Sequence, residues 1–172
     1  QSLVTDYLSI PRSVPVDARV YPYSMTVLAE LVVSYICEND EPDFQMVVTD
    51  CEYFESSGLL QYACQTGLQK TNQLSDVSGR PNLIVSAFHP CNPVIADQSQ
   101  PDIVGCVNKL MSQNQYTASF PLVLIIDITM DEFMDPVLVD LVAEFMPLVS
   151  SGKLIVHLFQ SATKLLQFGS DV

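Results

Sequence analysis

One amine, one carboxylate, one amide, two neighbouring aromatics and several hydroxyls fall at positions where a chain can do chemistry rather than merely fold. The apolar run Leu154 to Phe159 leads into Ser161, Ala162, Thr163 and Lys164. With only seven Lys and Arg in the chain, a lysine framed by hydroxyls and apolar residues is a poor candidate for a solubilising charge. It is a candidate nucleophile, an amine able to condense with a carbonyl. Asp127 ends the aliphatic run Leu122 to Ile126. An acid at the tip of a buried strand is costly unless it has a partner or a role. Asn92, before Pro93, offers a short amide in a turn after the run Leu83 to Phe88. Tyr53 and Phe54 supply rings able to stack on a planar ligand or to cover the core. Ser24, Met25 and Thr26 open an apolar-periodic segment, and free backbone N–H groups at a helix start cap or bind anions.

These residues need elements to hold them. Helical periodicity runs from Ser24 through Val27, Leu28, Leu31, Val32, Tyr35 and Ile36, and a strand is expected over Phe44 to Thr49. A second helix follows from Ser56 to Cys64, and Gly67 to Pro81 reads as a polar connection. Leu83 to Phe88 is a second strand, and Pro101-Asp102 opens a third helix. Leu122 to Asp127 is a strand covered on both faces. A fourth helix spans Pro136 to Val149, and Leu154 to Phe159 is the last strand. Helix and strand alternate four times, which predicts a three-layer, doubly wound, mainly parallel α/β sheet. In such sheets ligands bind at the carboxyl ends of the strands. That rule gathers Tyr53, Asn92, Asp127, Ser161, Thr163 and Lys164 on one rim, with the helix start at Ser24 beside them.

Composition narrows the partners. The 172 residues carry a net charge of −13, unfavourable for a nucleic-acid backbone or an anionic membrane. No apolar run is long enough to cross a bilayer. Five cysteines without a CxxC pair fit reduced thiols in the cytoplasm better than a disulfide framework. His89 and Cys91 form an HxC, but their spacing with Cys106 matches no strong zinc signature, so no metal is expected.

The collected groups are those that pyridoxal phosphate requires: N–H groups and hydroxyls for the phosphate, a stacking ring, a donor for the phenolic oxygen, an acid for the pyridine nitrogen and an amine for the aldehyde. Together they resemble the fold-type I pyridoxal-phosphate enzymes, the aspartate aminotransferase superfamily, and most nearly its cystathionine γ-synthase and γ-lyase branch. Ser161 to Lys164 with Gly169, Ser170, Asp171 and Val172 is similar to the segment around the family's Schiff-base lysine. Asp127 is similar to the acid that meets the pyridine nitrogen, and Asn92-Pro93 to the asparagine beside the phenolic oxygen. Ser24-Met25-Thr26 resembles the phosphate turn, and Tyr53 the stacking aromatic. The order agrees and the spacing agrees approximately, with 127 − 92 = 35 and 164 − 127 = 37 residues.

Pro11, Pro15 and Pro22 suit an extended lead-in over residues 1–23, and the resemblance implies a cofactor-binding large domain over 24–172. It also implies a missing small C-terminal domain, so the chain is expected to be a piece of a larger protein. The implied activity is transamination, or β- or γ-elimination or replacement, on an amino acid, with Lys164 catalytic and a homodimer or the remainder of the chain as partner. Met25 stands where the family has a small glycine, and the Asp127 to Lys164 interval is longer than in the cystathionine branch. Met25 favours an alternative, a degenerate domain kept as an interaction or regulatory module. A third reading is an unrelated doubly wound domain with Lys164 on its surface.

Overall fold

A computed structural model describes residues 5–6, 8–21, 24–38, 44–49, 58, 60, 68–71, 74–89, 101–129 and 135–160. Its elements are helix α1 (Ser24–Glu38), strands β1 (Met46–Thr49) and β2 (Leu68–Thr71), a short 3-10 turn (Leu74–Asp76), strand β3 (Leu83–Ala87), helix α2 (Ile103–Ser112), strand β4 (Leu122–Asp127), helix α3 (Pro136–Ser150) and strand β5 (Leu154–Phe159).

Among the described residues five strands form one sheet in the order β2-β1-β3-β4-β5, every neighbouring pair parallel. From β1 the chain first moves outward to β2, then returns past β1 to lay down β3, β4 and β5 on the other side. The direction of winding reverses between β1 and β3, and there a doubly wound sheet opens a crevice at its carboxyl edge. The register is continuous across the centre, with Ala87 opposite Asp127 and Asp127 opposite Phe159.

Both faces of the sheet are covered, which explains why its central strands are apolar without alternation. On one face Leu28 and Val32 of α1 pack on Met46, Val48, Leu83, Val85, Val123, Ile125 and Phe159. On the other, Cys106, Val107 and Leu110 of α2 and Leu138, Leu141, Val142 and Phe145 of α3 pack on Val47, Ile84, Leu122, Leu124 and Ile126. From the lead-in, Leu8 joins this second layer, and its neighbour Ile10 packs against it.

The helix ends follow from local chemistry. Asp102 caps α2, its carboxylate accepting from the Gly105 N–H at 2.8 Å. Asp135 caps α3 by accepting from the Val137 N–H at 2.8 Å, with Pro136 in the first turn, where no N–H is needed. Beyond α3, the Gly152 N–H donates to Val149 O at 2.9 Å and the Lys153 N–H to Leu148 O at 3.0 Å. With Gly152 at φ +74° this is a Schellman closure, and it aims the chain straight into β5.

Two expectations need correction. The connection Gly67 to Pro81 contains a fifth strand, β2, and the 3-10 turn. Among the described residues β2 lies at the sheet edge, where a short, polar strand such as Leu-Gln-Lys-Thr is held by one neighbour's backbone. The strand expected from Phe44 begins at Met46. The helix expected over Ser56 to Cys64 lies almost wholly outside the described residues, although Gly58 and Leu60 are helical.

Candidate functional site

Asp127 is the described residue on which a site can be built. It is the last residue of β4, at the carboxyl edge between β3 and β5, and only 4% exposed. Its strand alternation with Val123 and Ile125 puts its side chain on the α1 face. Its in-register neighbour on β3 is the small, fully buried Ala87, and on β5 it is Phe159. The strand tip is fixed from both sides. The Phe88 N–H donates to Asp127 O at 2.8 Å, and the Ile128 N–H to Phe159 O at 2.9 Å.

The carboxyl itself has modest support. Thr129 supplies its hydrogen bonds, the backbone N–H reaching Oδ1 at 2.8 Å and the hydroxyl also contributing. Neither donor is charged, and among the described residues no cationic side chain pairs with Asp127. Burial therefore dominates, and it raises the carboxyl above its ordinary pKa despite both bonds to Thr129. A cationic N–H placed against this acid would reverse that shift, because an opposite charge restores the ionised form. The donor set thus fits a protonated ring nitrogen.

The second anchor is the start of α1. Tyr35, late in α1, donates or accepts a 2.8 Å hydrogen bond with His157 Nε2, and the two rings meet edge to face at 5.7 Å. Tyr35 also shares a cavity wall with Phe44 and Leu83, at the amino ends of β1 and β3. The helix therefore runs antiparallel to the strands, and its N-terminus emerges at the edge that carries Asp127. From Tyr35 back to Thr26 is 35 − 26 = 9 residues, about 14 Å of helix. From His157 up to Phe159, level with Asp127, is 159 − 157 = 2 residues, about 7 Å of strand. The first turn of α1 accordingly lies toward the carboxyl edge, on the face that carries Asp127.

On the opposite face of the same edge, the Thr49 hydroxyl donates to Ser86 Oγ at 3.2 Å, and Ser86 Oγ to Ala87 O at 3.1 Å. This pair straddles β1 and β3 at the winding reversal. Sequence reading passed over both residues because single hydroxyls inside apolar strands carry no spacing signal.

The remaining sequence candidates divide in two. For Ser24, Met25 and Thr26 the backbone is helical and the side chains are not described. Tyr53, Phe54, Asn92, Ser161, Thr163 and Lys164 lie outside the described residues. A cavity of about 480 Å³ on the α2–α3 side is not lined by Asp127. It opens between the N-terminal turns of α2 and α3, beside Phe88, Ile103 and Leu141. Asp102, Asp140 and Glu144 on its wall make it a poor receptor for a phosphorylated ligand.

No family model matches the chain, and no curated protein matches it in sequence. Among solved structures it is similar to the PLP-bound C–S lyase from Staphylococcus hominis, with a TM-score of 0.50 and 14% sequence identity. The match covers 96% of this chain and 43% of that one, so the chain spans less than half the length of that enzyme. The shared feature is the fold, an α/β architecture of the class expected from the sequence. The cystathionine branch gains no support from this match. Among the described residues no helix is long and apolar enough to cross a membrane, and no cluster of His, Cys, Asp or Glu is suited to a metal.

Proposed function

We propose that the chain is the cofactor-binding part of a pyridoxal-phosphate-dependent enzyme acting on an amino acid by transamination or by β- or γ-elimination or replacement. The observation that carries this reading is Asp127, a buried acid at the tip of β4 with no cationic partner among the described residues, on the face that α1 covers. An anion held by the N–H groups of α1 and a ring nitrogen held by Asp127 require a ligand with those groups several ångströms apart, as in a substituted pyridine bearing a phosphate arm.

Bound there, the cofactor would supply an electron sink for bonds at the substrate's α-carbon. The protein's own residues do the rest. Asp127 holds a proton on the ring nitrogen, its ionised form favoured by that contact. Ser24 and Thr26 add hydroxyls to the N–H groups that receive the phosphate, and Ser161 and Thr163 lie close enough in sequence to Lys164 to join them. Tyr53 would offer a face for the ring and Asn92 a donor for its phenolic oxygen. Lys164 would supply the amine that holds the cofactor and a general base for the α-proton. The full enzyme is a cytoplasmic homodimer, its remaining site residues supplied by the rest of the chain or by the partner subunit.

The test is an absorbance spectrum of the protein with pyridoxal phosphate, before and after borohydride, with the labelled peptide identified by mass. Adduct on Lys164, lost in Lys164→Ala, is expected. A folded protein that forms no adduct instead supports the non-catalytic module that Met25 favours.

A further inference from the structure

At the other end of the sheet, the amino ends of β3, β4 and β5 and the late turns of α1 enclose a second cavity of about 280 Å³, at the lower end for small-molecule sites. Its wall is aromatic, with Tyr35, Phe44, Tyr116 and Phe120, and it includes one cation, Arg80. The Arg80 guanidinium sits over two of those rings, 5.9 Å from the Tyr116 centroid and 5.6 Å from that of Phe120. In a chain with 20 acids and seven Lys and Arg, an arginine is expected to find a carboxylate, yet none pairs with Arg80 among the described residues.

Its surroundings are built rather than loose. Tyr116 is 3% exposed and its hydroxyl donates to Pro81 O at 2.9 Å, which fixes the ring under the guanidinium. Asn82 accepts the Gln45 N–H on Oδ1 at 2.9 Å, so its amide NH₂ is left as a donor on the cavity wall. Phe120, half exposed, is a large apolar ring at the same place.

We propose that this cavity binds a small planar organic carboxylate: the carboxylate pairs with the Arg80 fork and the Asn82 amide, and the flat body stacks among Tyr35, Phe44 and Phe120. Guanidinium matches a carboxylate bidentately, and stacking on aromatic rings pre-orients it. The site is separate from the Asp127 edge, and its occupation is independent of the cofactor reading.

Benzoate is the probe, titrated into the chain without added pyridoxal phosphate and followed by ligand-observed NMR. Saturable binding is expected, weakened about tenfold or more by Arg80→Gln and unchanged by Arg12→Gln, an exposed arginine elsewhere. Benzyl alcohol, with the same ring and no charge, is expected to bind about tenfold more weakly than benzoate to the unmodified chain. Circular dichroism establishes that each variant is folded. If Arg80→Gln does not fold, the benzoate and benzyl alcohol comparison decides alone. The proposal is overturned by a folded wild-type chain that does not bind benzoate, by equal affinity for the two ligands, or by a folded Arg80→Gln chain that binds as the wild type does.

Discussion

Tyr35 and His157 join α1 to β5 through a single 2.8 Å hydrogen bond across 122 residues of chain. Because α1 carries the N-terminus proposed to receive the phosphate and β5 precedes Lys164 in sequence, this bond ties together the two segments that the proposed cofactor would bridge. Burial lowers the His157 pKa, so the folded state prefers the neutral imidazole.

The sign of the resulting pH dependence follows. A histidine whose folded pKa lies below its unfolded value contributes stability that is fully present above the unfolded pKa, near 6.5, and lost as pH falls toward the folded value. Stability in urea should therefore drop between about pH 7 and pH 5, and Tyr35→Phe should cost about 1 kcal/mol at pH 7. A urea midpoint in His157→Gln that falls across this range as steeply as in the wild type would remove His157 as the cause.

Asp127 has the opposite sense. Its folded pKa is raised, so its contribution is present below the unfolded pKa and lost as pH rises through the folded value. Without cofactor, Asp127→Asn should leave stability at pH 7 within about 1 kcal/mol of wild type or above it, since an amide still accepts from Thr129. Cofactor affinity should fall by roughly 30-fold or more if a charged nitrogen loses its partner. Equilibrium unfolding and a cofactor titration measure the two effects separately.

Gly152 closes α3 at φ +74°, and a Cβ there would stand 3.0 Å from Cβ of Ala118. Gly152→Ala should cost about 1–2 kcal/mol through the left-handed backbone and the tight contact. Chemical denaturation measures the loss.

Cys106 is buried in the α2 layer, and burial pushes its thiol up to about 11. At pH 8 it should alkylate at least ten times more slowly in the folded chain than in urea, as roughly expected of a buried thiol. Peptide mapping after a timed iodoacetamide pulse reads the difference directly.

The sequence discloses the fold wherever burial is two-sided. β4 and β5 begin and end where the apolar runs do, and α2 and α3 start at their capping acids. β2 was hidden because an edge strand of four residues with a lysine and a glutamine has no apolar pattern to betray it. Of the site, Asp127 could be placed because an acid ending an aliphatic run is conspicuous. In sequence Arg80 is simply part of the polar connection Gly67 to Pro81. Its role depends on Tyr116 and Phe120, which are distant in sequence and become neighbours only when β3 and β4 pair.

The order of the strands also sets how the chain can assemble. β4, α3 and β5 are consecutive in sequence and adjacent in space, so this unit closes with one local crossover. By contrast, β1 must wait for β3 across the whole β2 excursion before its second edge is satisfied. Long-range pairing is slow because loop-closure entropy comes before its reward. The α3 unit is therefore expected to form the early nucleus, with β1 and β2 docking late. Valine substitutions at Ile125 and at Met46 would measure this: folding should slow for the first, and unfolding should speed up for the second. The reverse pattern would place the nucleus at the winding reversal instead.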